Sequence, residues 1–110
     1  MNIMTIDGHQ AVITYDPDAD RLRGEFLGLN GGADFVATTI PGLRREGKIS
    51  LRVFLEACAE EGIEPFKSFS GKFMARVKPE LHQRAIVAAA AKGISLNQLV
   101  ERAIEHEVSA

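Results

Sequence analysis

Apolar and polar residues alternate through "QAVITYD" (10–16), a run rich in β-branched and aromatic side chains. That period of two predicts a strand. "PDAD" (17–20) follows with the Pro and Asp chemistry of a turn. "RLRGEFLG" (21–28) then sets Arg21, Arg23 and Glu25 against Leu22 and Phe26, interrupted by Gly24. The two runs predict a hairpin. After a flexible "LNGGA" (29–33), the apolar and β-branched "DFVATT" (34–39) predicts a third strand.

The period changes at residue 40. Ile40, Leu43, Gly47, Leu51, Phe54 and Cys58 recur at spacings of three and four, which places them on one face of a helix. Thr39 is a suitable cap, Pro41 suits the first turn, and Gly62 suits the end, so the helix is predicted near 40–61. Gly42 and Gly47 argue against it, since each costs on the order of 1 kcal/mol in a helix interior. "IEPFKSFS" (63–70) carries Pro65 and reads as a connection. The expected organisation is α+β: a β-β-β-α domain over 1–63, a linker over 64–70, and a second domain over 71–110.

The second domain starts with a short alternating segment, 71–77, predicted as a strand. Pro79 then stands at a first helical position with Glu80 beside it, which suits the positive end of a helix. The alanine-rich helix is predicted over 79–92, with Leu81, Ala85, Ala88 and Ala89 on its apolar face and Gly93 as its stop. Ser95 and Gln98 have the spacing of a capping box. The helix they open, near 96–107, carries a stripe of Leu96, Leu99, Val100, Ala103 and Ile104.

One strand with two helices cannot stand alone. Its backbone groups lack partners on both edges, and so short a unit buries too little apolar surface. Two copies pairing their strands antiparallel about a two-fold axis remove both deficits. The pattern therefore predicts a homodimer, or a tetramer built from it. Phe73, Ala75, Val77, Leu81, Leu96, Leu99 and Val100 would form its core. Lys72, Met74 and Arg76 would point outward, twice over. A two-stranded ribbon fits the major groove of DNA, where Lys and Arg donate to guanine and an apolar side chain packs on a thymine methyl. The opening turn Ser95-Leu96-Asn97 offers N–H groups to a phosphate.

Charge sharpens this picture. The chain of 110 residues has a formal net charge of -2. Residues 1–66 hold six Lys/Arg and eleven Asp/Glu, whereas residues 67–110 hold seven and four. The acidic part suits a basic protein partner and the basic part a polyanion. The hydrophobic fraction of 45% and charged fraction of 25% are those of an ordinary globular protein. No apolar run approaches the roughly 20 residues that cross a bilayer, so no membrane partner is expected. "MNIMTIDGHQ" has no basic stretch before an apolar one, so a cytoplasmic location is expected.

Catalytic chemistry finds little support. Cys58 is the sole cysteine, in an apolar-periodic segment, and is expected to be buried and inert. His9, His82 and His106 share no ligand spacing, so no metal or other cofactor is expected. Asp7, Asp16, Asp18, Asp20, Glu25 and Asp34 are numerous enough to raise two-metal nuclease chemistry. Asp16, Asp18 and Asp20 are more simply turn residues, and their spacing fails the calcium-loop pattern. No enzyme is expected.

Residues 71–107 resemble the ribbon-helix-helix fold of the Arc/MetJ type. More specifically, "SGKFMARVKPELHQRAIVAAAAKGISLNQLVERAI" is similar to the C-terminal domain of HicB-family antitoxins. "QAVITYD" and "FLEACAEEGIEPFKSFSGKF" are similar to the same family's N-terminal region, so the resemblance spans nearly the whole chain. It implies a catalytically empty, partial RNase H-like domain that blocks a HicA-like mRNA-cleaving toxin. It also implies a dimeric domain that reads double-stranded operator DNA through Lys72, Met74 and Arg76 and represses its own operon. At Met74 the chain departs from many relatives, which carry Asn. The alternative is a stand-alone regulator of the same type, or a dimeric interaction protein, without a toxin partner.

Overall fold

The computed structural model describes residues 2–109. The chain forms two compact units, residues 1–70 and residues 71–110, and taken together it is α+β.

The first unit is a four-stranded antiparallel meander, β1 (Ile3–Ile6), β2 (His9–Asp16), β3 (Arg21–Phe26) and β4 (Asp34–Ala37), followed by α1 (Ile40–Glu61). The sequence pattern predicts three strands, so β1 corrects it to β-β-β-β-α. The missing strand comes from a two-residue hairpin. Ile6 pairs with His9, and Asp7 and Gly8 between them both have positive φ, 49° and 81°. That is the conformation for which Asp-Gly is favoured, because its twist matches the flanking strands. The next turn is held by Asp16, whose Oδ1 accepts from the backbone N–H of Asp18 at 3.1 Å and of Ala19 at 3.4 Å.

Alternation along the strands sends one set of side chains to α1. Met4, Ile6, Ala11, Phe26 and Phe35 are buried there with Leu43 and Leu51. The opposite sheet face is exposed and mixes Ile3, Val12 and Val36 with Arg23, Glu25 and Asp34. α1 begins at Thr39, whose Oγ1 accepts from the Gly42 N–H at 3.1 Å, and ends at Gly62 with φ 69°. Its buried line is Leu43, Gly47, Leu51 and Cys58, while Ile40 at its head is exposed.

Gly47 has a packing reason. A Cβ there would strike the Ile6 Cδ1 methyl and come within 3.0 and 3.1 Å of the Phe35 ring. Gly24 on β3 is likewise covered by that ring, which fills the space a side chain would take. The helix lies close on the sheet because neither glycine holds it off.

Residues 64–67, in the stretch expected to be linker, are tied to the first unit. The Asn30 side chain donates to the Glu64 carbonyl at 2.8 Å, and backbone bonds join Asn30 to Pro65 and Lys67 to Gly28, both at 2.9 Å. Phe66 stacks on His9 with ring centroids 4.7 Å apart.

The second unit contains α2 (Pro79–Lys92) and α3 (Leu96–Val108). Pro79 and Glu80 open α2, and Gly93, with φ 69°, closes it by donating to the carbonyls of Ala89 and Ala90. Residues 71–77, expected as a strand, are in no strand of this single chain. A ladder needs a second strand, and the four that the chain forms pair among themselves. No described helix is long and apolar enough to cross a membrane.

Candidate functional site

The site is built on the second unit, where apolar surface and cations lie together. Among its described residues only Ala89 is buried, at 3% exposure. Ala85, Ala88, Ile94, Leu96 and Leu99 are half-buried between the two helices. The remaining large apolar groups stay in solvent: Phe73 is 73% exposed and Leu81 50%, with Val77, Ile86, Val87, Val100 and Ile104 also exposed. A helix pair sealing one alanine has almost none of the burial that stabilises a fold, at roughly 25 cal/mol per Å².

That surface is organised. Phe73 and Ala75 line an open groove of about 870 Å³ with Leu96, Val100 and Ile104 of α3. Glu101 and Glu105 flank it. Met74 does not line this groove and is 95% exposed. Arg76 is exposed, and among the described residues its guanidinium has no ion pair or hydrogen bond within the chain. Lys72 is exposed at the groove's rim.

The start of α3 is a complete capping box. Ser95 Oγ accepts from the Gln98 N–H at 3.0 Å, and Gln98 Oε1 accepts from the Ser95 N–H at 2.9 Å. The Leu96 and Asn97 N–H groups, in the first turn, are left for an outside acceptor, as at any helix start. Ser95 and Asn97 are exposed and Leu96 is half-buried.

Of the residues expected to form a dimer core, Leu96 and Leu99 are partly covered within one chain, and Phe73, Ala75, Val77, Leu81 and Val100 are not. Ile104 belongs with them on geometry, because it lines the same groove. Its place in the α3 stripe was the signal for it. Ile86 and Val87, on the outer side of α2, are exposed apolar groups that the reading of one α2 face left out.

The carboxylates of the first unit have local duties. Asp16 holds its turn, Asp20 accepts from the Tyr15 hydroxyl at 2.6 Å, and Asp34 pairs with Arg23. Among the described residues, no three His, Cys, Asp or Glu side chains gather as a metal ion requires. Cys58 is a buried free thiol, as its apolar-periodic setting implied.

The geometry defines a small sheet-and-helix unit joined to an incompletely buried helix pair with an exposed, cation-bearing leader. Residues 54–104, from the second half of α1 to near the end of α3, match the model of the HicB family. The match spans 51 of the 110 residues, just under half of the chain. No curated protein and no solved structure matches the chain.

Proposed function

We propose that this chain is a HicB-type antitoxin that also represses its own operon. Two copies pair residues 71–77 as an antiparallel ribbon, and α2 and α3 of both close a shared core. Lys72, Met74 and Arg76 then project from the ribbon into the major groove of operator DNA, with phosphates held at Ser95, Leu96 and Asn97. The acidic first unit covers a small basic toxin of the HicA-like, mRNA-cleaving kind. The observation that carries this reading is the single buried side chain of the second unit, set beside the family match. A partner must cover that apolar surface, and a second copy supplies both the strand and the helices.

The test is duplex DNA from upstream of the chain's own reading frame. Affinity should fall steeply between low and physiological salt as phosphate contacts release counterions. Arg76→Ala should weaken operator binding by about 1–3 kcal/mol and relax discrimination at one base position. If Arg76→Ala discriminates operator from random duplex as well as the parent does, the groove assignment fails.

A second reading is favoured by one observation: the family match leaves residues 1–53, and with them the whole sheet, outside its span. In that reading the chain is a stand-alone regulator or a dimeric interaction protein. Co-expression with a HicA-like toxin separates the two, since only an antitoxin restores growth.

A further inference from the structure

We propose that Asn30 is a self-modification site: its deamidation, guarded by the strap of residues 64–67, releases that strap from the first unit for good. The inference stands apart from the DNA and toxin readings above. Asn30 is followed by Gly31, and the pair lies exposed, outside every helix and strand. Asparagine before glycine is the dipeptide most open to attack by the next backbone nitrogen, because glycine has no side chain to hinder it. Asn2 precedes Ile3 and Asn97 precedes Gln98, so Asn30 is the one asparagine so placed in the sequence. The Gly31 nitrogen bonds to Cγ of Asn30, and the Cγ–Nδ2 bond breaks. Nδ2 departs as ammonia with the proton from the Gly31 nitrogen, and a succinimide ring remains. Water opens the ring at either carbonyl, which gives aspartate or isoaspartate.

The position of the carboxamide decides what that change does. Asn30 Nδ2 donates to the Glu64 carbonyl at 2.8 Å and to the Phe66 carbonyl at 3.4 Å. Both partners are acceptors, so only the amide end of the side chain fits there. The Asn30 N–H donates to Pro65 O and the Lys67 N–H to Gly28 O, both at 2.9 Å. Phe66 adds a stack on His9 and an isolated bridge to Leu29. A carboxylate at residue 30 has no proton to donate. It would set a negative charge against two carbonyl oxygens, which removes both bonds and repels the strap. Isoaspartate also lengthens the backbone by one carbon and shifts the N–H that meets Pro65. Ring closure needs a carboxamide free to turn, and the docked strap restrains it. Each opening of the strap therefore admits the reaction, and each reaction prevents reclosing. The chain loosens with age just before its second unit begins at residue 71.

The full chain is aged in mildly alkaline buffer, with mildly acidic buffer as the control, because the attacking nitrogen must lose its proton. Peptide mass spectrometry follows the amide-to-acid conversion at residue 30, and a free peptide of residues 27–34 gives the unrestrained rate. Conversion should be slower in the chain than in the peptide. Phe66→Ala, checked for folding by circular dichroism, should bring the chain close to the peptide. Amide hydrogen exchange at Lys67, read by nuclear magnetic resonance, should quicken about ten-fold in the converted chain and equally in Asn30→Asp, as expected for lost hydrogen bonds of ordinary net strength. The inference is overturned if residue 30 keeps its amide in both chains while the peptide converts. It is also overturned if Phe66→Ala does not hasten conversion, or if Lys67 exchanges as slowly after conversion as before.

Discussion

The two units of this chain solve the burial problem in opposite ways. The first covers one face of its sheet with a 22-residue helix and leaves Ile6 and Leu43 almost wholly out of solvent. The second has two helices, one closed by a left-handed glycine and one opened by a capping box, and among its described residues one buried alanine. Local signals are as good in the second as in the first: a capping box, a proline at the first turn, a left-handed glycine at the stop. The difference teaches that capping and periodicity specify helices, whereas stability comes from what the helices cover. The first unit is complete within one chain. The second leaves Phe73, Leu81, Val100 and Ile104 exposed within one chain, and on the proposed reading a second copy covers them.

The matched pair Leu43→Ala and Leu81→Ala gives the largest effects and the most direct way to break this comparison. Leu43 is fully buried in one chain, and its truncation should cost about 2–5 kcal/mol. Leu81 is half exposed in one chain, so as a surface residue its truncation would stay within about 0.5 kcal/mol. Under a second copy it becomes a core residue, and the expected loss rises to about 2–5 kcal/mol per copy. Urea unfolding of the full chain at several protein concentrations checks this. The Leu43→Ala loss should not depend on concentration. The transition weakened by Leu81→Ala should move with it, as folding coupled to association must. A negligible Leu81→Ala effect at every concentration would mean the helix pair stands alone.

Gly47→Ala comes next and sharpens the contrast from the side of the complete unit. In an exposed helix, alanine for glycine gains up to about 1 kcal/mol of propensity. Here the new Cβ meets Ile6 and Phe35, both buried and unable to withdraw. Overpacking of that kind costs about 1–3 kcal/mol, so the net change should be destabilising. The same denaturation experiment should show the loss in the concentration-independent transition alone. Gly32→Ala is the control, because nothing lies within 4 Å of its Cβ position.

Gly47 also shows where the sequence stops speaking. In the sequence it weakens the helix prediction, because the reason for it is a contact with strands 41 and 12 residues upstream. The helix itself was legible: its periodicity, the Thr39 cap and the Gly62 stop outweigh two glycines. β1 escaped because four residues give little alternation to read, although the Asp7-Gly8 turn was the available signal. Pro65 marks residues 63–70 as a connection, yet the bonds that hold 64–67 come from Gly28–Asn30. Pairings that distant leave no periodicity. At the candidate site, the alternation of Lys72, Met74 and Arg76 with Phe73 and Ala75 was readable in the sequence, whereas the groove beside α3 is lined by Lys72 as well as by Phe73 and Ala75. On the proposed reading the ladder forms only with a second copy's strand, so one chain does not show it.

The smallest effect tests whether the first unit's loops are as settled as its core. The Tyr15 hydroxyl donates to Asp20 Oδ1 at 2.6 Å. That bond raises the phenol's pKa above its ordinary value, with slight desolvation and the nearby Asp16 charge adding to it. The carboxylate accepts from the protonated phenol and repels the phenolate, so the neutral form is favoured on both counts. Because the folded pKa is raised, this bond's contribution to stability is fully present below the unfolded value of about 10. It is lost as pH rises through the folded value. Tyr15 is the only tyrosine and the chain has no tryptophan, so ultraviolet absorbance of the phenolate follows this one group. Asp20→Asn should bring the titration midpoint down toward that of a free tyrosine, with unfolding at neutral pH nearly unchanged. An unchanged midpoint would mean that the β2–β3 turn does not hold Asp20 against Tyr15 in solution. The ordered first unit would then end at its core and not extend to its turns.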